Sequence, residues 1–485
     1  MTMNPPEIFG ELRALAAGEH SRRAFSQMLK LIEDAEAIQP GIYDDAWREW
    51  LLSNLESWEA RHRIITIRGE ELVTELEWIV VNDTLELVAS NIKSLKTRGW
   101  SELIQGVRLT SFDFGSKEKV AWLMDELLEG GSELKHISFK FPLIKKSQIK
   151  KFFAHESIAT LKSLEFDDAS FKVATFETLI QEIAQNEVLE SLSFKYCKLT
   201  AKHMPVLCSS PLFSRLKSLD LTGNSSINGK AATAFAPYVT PECKFEEVSF
   251  AYCEVGSTGG KALAEANWPT SLGRLDVFRN GLGLRGMNAM LEHGMLKHMI
   301  TVDGVLDLSL QYIKDKQIRA LFLSEEFAQV RRLDLTWSMI EKPDKTFKNL
   351  PEFPNLEFIK LPVDTTQSYK EFLHFLQKLP ALKEVRLKFR GESEDIVTDI
   401  FALPQASQWT TIGLLAERFD LKEQSFQAIK AWDGWDRGGQ IDAVLHLSKD
   451  GDACAHATDL PYMAPSNTSA LGQRFVLGRG QVDIL

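Results

Sequence analysis

Apolar residues recur along this chain in one short phrase, L-x-x-L-x-L, at a regular spacing. The phrase reads LESLSF from Leu189, LKSLDL from Leu216, FEEVSF from Phe245 and LGRLDV from Leu272, with starts 27 to 29 residues apart. Its later apolar positions alternate with polar ones, which predicts a short strand with one face buried. Helix-period material follows roughly ten residues later, as in KAATAFAPYV and GKALAEANW. The same phase extends back through LKSLEF (Leu161), LKHISF (Leu134), IQGVRL (Ile104) and LEWIVV (Leu76). It runs forward through DGVLDL (Asp303), VRRLDL (Val330), LEFIKL (Leu356), LKEVRL (Leu382) and WTTIGL (Trp409). One strand-plus-helix unit cannot bury its apolar edge alone, so roughly eleven to thirteen stacked units should share a continuous core.

The ninth position of the phrase reads Cys197, Asn224, Cys253 and Asn280 in four successive units. With the segment LSFKYCKLTAKHMPVLCSSPLFSRLKSLDLTGNSSINGKAATAF, this alternation resembles the ribonuclease-inhibitor type of leucine-rich repeat. The resemblance covers about residues 70 to 415. It implies an α/β solenoid, curved, with parallel strands on a concave face and helices on a convex one. Flanking units depart from it, with Ala169 earlier and Gln311 or Ser338 later at the ninth position. Residues 1–70 carry helical patterning without the repeat and are expected to form a helical N-terminal cap. Trp47, Trp50 and Trp58 fall there at helical spacing and should face a core. Residues 71–415 form the repeat array, and 416–485 a short C-terminal appendage, partly loop, with one helix over LKEQSFQAIKAW.

Composition narrows the function. A net charge of −11 disfavours general binding to phosphate backbones. The five cysteines show no CxxC spacing, which argues against a zinc site or redox motif. The start lacks the basic and apolar regions of a signal peptide, and no stretch is long and apolar enough to span a membrane. A soluble cytoplasmic protein is expected, with neither nucleic acid nor membrane as partner.

Four chemical motifs have plainer readings. Cys197 and Cys253 sit at a turn position where asparagine serves in alternate units, so both should be buried structural rungs. Two strand spacings, about 10 Å, would separate them, too far for a disulfide. GSTGGKA (Gly256 to Ala262) suggests a phosphate loop, but Val255 replaces the first glycine and Ala262 the required Ser/Thr. Its glycines are expected to make a tight strand-to-helix turn. Cys454 stands two residues before His456, an adjacency that is weak evidence for a nucleophile pair. The stretch RFVLGRGQVDIL resembles the opening strand of a forkhead-associated domain over a dozen residues, and no function is carried over from it.

Positions three, five, seven and eight of the phrase should stand on the face opposite the helices. Position eight includes Tyr196, Tyr252, Trp337 and Phe389, with Phe278 at position seven. Position five includes Asp220, Asp276, Asp307 and Asp334, then Lys360 and Arg386. Exposed rings are interface material, and neighbouring acids would select a protein partner with a basic patch. The expected function is therefore a non-enzymatic protein-protein interaction scaffold with no cofactor, metal or catalytic residue. Its partner-binding residues would be Tyr196, Tyr252, Phe278, Trp337, Phe389, Asp220, Asp276, Asp307 and Asp334. Two alternatives follow from resemblance alone. A Ran-type GTPase-activating protein shares the repeat type, although its long acidic tail has no counterpart here. A cysteine-dependent ubiquitin-ligase-like effector would act through Cys454.

Overall fold

The computed structural model describes residues 5–18, 20–39, 45–58, 63–68, 77–81, 84–88, 106–110, 135–140, 142, 144, 146–153, 158–338, 340–364, 368–390, 394–416, 428, 431, 440–444, 463–469 and 472–477. They form two compact units, Met1–Cys253 with Ala266–Leu272, and Glu254–Glu265 with Gly273–Leu485.

The first unit opens with helices Pro5–Ala16, Arg22–Ile38 and Asp45–Asn54. Ser21 caps the second, its hydroxyl accepting the Ala24 N–H at 3.2 Å. Of the three tryptophans Trp58 is buried, while Trp47 and Trp50 are half-buried. Trp47 stacks on Phe9 with centroids 3.9 Å apart, and Trp58 is buried against His20. Among the described residues nine strands follow: β1 (Ile64–Arg68), β2 (Glu77–Val81), β3 (Thr84–Val88), β4 (Gly106–Thr110), β5 (His136–Lys140), β6 (Ser163–Asp167), β7 (Ser191–Lys195), β8 (Ser218–Asp220) and β9 (Glu247–Ser249). From β9 they pair in the order β9-β8-β7-β6-β5-β4-β1-β3-β2. Strands β4 to β9 are parallel and in repeat register, so that Leu164, Leu192, Leu219 and Val248 stand side by side.

Two features depart from the expected pattern here. Strand β1 lies inside the segment expected to be wholly helical, and it pairs in parallel with β4. LEWIVV, read as a further repeat, forms β2, which runs antiparallel to β3 as half of a hairpin.

The second unit contains β10 (Arg274–Asp276), β11 (Val305–Asp307), β12 (Arg332–Asp334), β13 (Phe358–Asp364), β14 (Glu384–Arg390), β15 (Thr411–Ala416), β16 (Gln440–Val444), β17 (Met463–Ser469) and β18 (Gly472–Leu477). Strands β11 to β16 are parallel. Strand β18 then lies antiparallel to both β16 and β17, so residues 416–485 contribute strands to the sheet.

The apolar phrase accounts for the core in both units. Position-six rings Phe139, Phe166 and Phe194 stack at 5.3 and 5.4 Å, and Phe176 of helix Val173–Ile183 meets Phe194 at 5.1 Å. In the second unit, Leu306, Leu308, Leu333, Leu335, Ile359 and Leu361 form one buried cluster with Ile318, Phe322, Phe372 and Phe375 from the helices. GSTGGKA is corrected by the structure. It opens helix Gly256–Ala264 instead of forming a loop. A Cβ on Gly260 would stand 2.7 Å from Leu282 Cδ2 and 3.2 Å from Gly286 Cα. The glycines therefore let two helices approach closely, and helix Gly283–Glu292 is the neighbour.

Candidate functional site

The region that could meet a partner is the sheet face turned away from the helices, with the corner where each strand turns towards its helix. A ladder of ninth-position side chains holds that corner. Asn224 Nδ2 donates to the Phe194 and Leu221 carbonyls at 2.7 and 2.6 Å, while its Oδ1 accepts the Leu199 N–H at 3.0 Å. Gln311 performs the same task in a unit that departs from the consensus. It donates to the Val277 carbonyl at 2.8 Å and accepts the Leu282 N–H at 3.0 Å. The cysteine thiols donate to carbonyls, Cys197 to Phe166 and Lys195, and Cys253 to Leu221 at 3.0 Å. Burial pushes the Cys197 and Cys208 thiols far above their ordinary range, which removes the reactive thiolate. Buried His203 accepts the Thr200 N–H at Nδ1 and faces the Phe171 carbonyl through Nε2, and burial lowers its pKa.

Position five does more than solubilise the sheet. The carboxylates of Asp220, Asp276, Asp307 and Asp334 accept the N–H two residues on, from Thr222, Phe278, Ser309 and Thr336, at 2.7 to 3.0 Å. Ser249 does the same for Ala251. Each takes a backbone donor out of the inter-strand ladder, and β8 to β12 are three residues long. Where position five is Lys360 or Arg386, neither of which can accept, β13 and β14 run on for seven residues. Three of the aspartates lie within ion-pair distance of a cation, and Arg279 acts on the fourth, Asp307. Asp220 lies 3.3 Å from Lys195, Asp276 3.1 Å from Arg274 and Asp334 3.4 Å from Lys360. Asp307 is set apart by burial, which raises its pKa against the opposing Ser309 hydroxyl and N–H.

Position eight is the other half of the corner. Asp168, Tyr196, Tyr252, Arg279, Leu310 and Trp337 all have positive φ, between 52° and 69°, and Gly223 takes the same place at 77°. This left-handed turn points the side chain away from the core, leaving Tyr196 49%, Tyr252 39% and Trp337 58% exposed. The Tyr196 ring lies over Gly223, where any Cβ would overlap it.

The predicted residues thus fall on both units. Tyr196, Tyr252 and Asp220 belong to the first, and Phe278, Trp337, Phe389, Asp276, Asp307 and Asp334 to the second. Phe278 is half-buried under the Arg279 guanidinium, 5.1 Å from its centroid. Phe389 lies on β14 opposite Val363, and its side chain lies outside the described residues. So do Cys454 and His456.

Neither a family model nor a curated protein matches this chain. The crystal structure of the Rad7 and Elc1 complex in yeast is similar over 69% of this chain and 84% of that one, at 16% identity and a TM-score of 0.40. A likeness of that degree bears on neither partner nor activity, and the geometry of the repeats carries the reading that follows.

Two groups were missed by sequence reasoning. Tyr312, at position ten, is also left-handed, 56% exposed, and covers Gly281. The basic side chains of β12 to β14 surround aromatic rings, although Lys360 and Arg386 were visible as a break in the run of acids. Among the described residues no helix is long and apolar enough to cross a membrane.

Proposed function

We propose that this chain is a non-enzymatic protein-binding scaffold of leucine-rich-repeat type, gripping its partner on the sheet face opposite the helices. The observation that carries the reading is the use of position eight. A bulky residue in the left-handed region costs about 1 to 2 kcal/mol relative to ordinary backbone. Glycine avoids that cost, and Gly223 shows that the corner accepts it. Tyr196, Tyr252 and Trp337 nevertheless occupy it with their rings substantially exposed. Strained, exposed aromatic side chains are characteristic of binding surfaces, where Tyr and Trp dominate the energetics.

In the same reading the four aspartates also act as loop caps, each accepting a backbone N–H of its own turn. The alternation of cysteine and asparagine rungs supports the ribonuclease-inhibitor type, with the curvature that type implies. Buried thiols favour a reducing cytoplasm. The experiment is affinity capture from native cells with the wild-type chain and a Trp337→Gly variant. Glycine removes the ring without adding backbone strain. Partners identified by mass spectrometry should be depleted from the variant, and an identical set of partners would refute the reading.

A further inference from the structure

Within the second unit the sheet face changes sign along the array. At position five Asp276, Asp307 and Asp334 give way to Lys360 and Arg386, and the register aligns Asp334, Lys360 and Arg386 across β12, β13 and β14. Position three aligns Arg332, Phe358 and Glu384 in the same way, and position seven sets Lys388 beside Pro362. Strands lie about 4.8 Å apart and alternate residues on one strand about 6.8 Å apart, so four cationic side chains share a patch of roughly 10 by 14 Å.

Two carboxylates stand among them, and their ion pairs are long. Lys360 Nζ is 3.4 Å from Asp334 and Arg332 is 3.6 Å from Glu384, beyond good N–H···O distance. Asp334 is already engaged by the Thr336 N–H and hydroxyl. The cations also frame aromatic rings. Arg332 and Arg386 lie 4.3 and 5.9 Å from the Phe358 centroid, and Lys388 Nζ lies 5.3 Å from that of Trp337.

We propose that this face of β12 to β14 docks an extended acidic segment of a protein partner. Its carboxylates meet Arg332, Lys360, Arg386 and Lys388, and an apolar residue packs on Trp337. The inference rests on the scaffold reading above and gives its partner a chemistry opposite to the one expected from the aspartates. Charge complementarity selects the occupant, since an extended peptide presents alternate side chains about 6.8 Å apart, the interval between positions three, five and seven. A nucleic acid would need a longer basic track on a protein of net charge −11.

The test is selection of a random-peptide display library on the full-length chain. Enriched peptides should be acidic and should bind about tenfold more weakly to a Lys360→Glu/Arg386→Glu variant, the loss expected for charge-assisted contacts. A Lys388→Glu variant provides the same readout should the double variant fail to fold. Neutral or basic peptides, no enrichment, or indifference to both variants would overturn the proposal. So would stronger competition by oligothymidylate or by phosphatidylserine vesicles than by an acidic peptide. If acidic peptides fail while a Trp337-dependent partner is still captured, this inference falls and the scaffold reading stands. If no captured partner depends on Trp337, both fall.

Discussion

His203 and Cys197 show how one residue's surroundings set its chemistry. The His203 ring is buried and uses Nδ1 as an acceptor, so protonation would convert that acceptor into a donor facing the Thr200 N–H. Its pKa is lower folded than unfolded. The unfolded chain therefore binds the proton more readily, and stability should decline as pH falls below about 6.5. Urea midpoints measured at neutral and mildly acid pH should fall less for His203→Gln than for the wild type. Equal falls would contradict this account of the ring. The inert role of Cys197 was legible from its exchange with asparagine in alternate units. The exposure of Tyr196 was legible from its position in the phrase. Its left-handed backbone was not, because tyrosine has no preference for that region and only the neighbouring Gly223 hints at it.

At the scale of an element, the position of nearly every repeat strand was legible, while strand length was not. The three-residue strands are those whose position-five side chain accepts the N–H two residues on, a local competition that hydrophobic periodicity does not register. The ladder was legible only where it matched the consensus. Gln311 looked like a departure, yet its longer amide reaches both backbone groups that asparagine would serve. Gln311→Ala would leave the Leu282 N–H and the Val277 carbonyl without that partner. Each buried group so orphaned costs about 1 to 3 kcal/mol. Chemical denaturation should show a loss of about 2 kcal/mol or more, and a change below 0.5 kcal/mol, ordinary for a surface substitution, would show that the rung is dispensable. The glycines of GSTGGKA teach a related point. Gly260 and Gly286 are chosen for helix contact, which depends on a partner helix distant in sequence.

At the scale of the whole molecule, the repeat array was readable because one unit repeats, and its ends were not because they abandon the pattern. Strand β1 lacks the leucine phrase, and β16 to β18 arise from a stretch dominated by turn residues. Those strands cover β15, whose edge would otherwise present unpaired backbone groups. Truncation after residue 416 should therefore yield a chain that self-associates, seen as increased mass by light scattering during size-exclusion chromatography. A monodisperse monomer would show that β15 needs no cover. The exposure of Tyr196, Tyr252 and Trp337 was legible in the sequence, whereas the bonding of each aspartate to its own loop becomes visible only once the corner is built. The central claim, that strained rings at position eight bind a protein, is tested most directly by one dissociation constant. For a partner captured from native cells, Trp337→Gly should weaken binding by more than about 1 kcal/mol, at least about fivefold, with the urea midpoint unchanged. An unchanged dissociation constant would contradict the account.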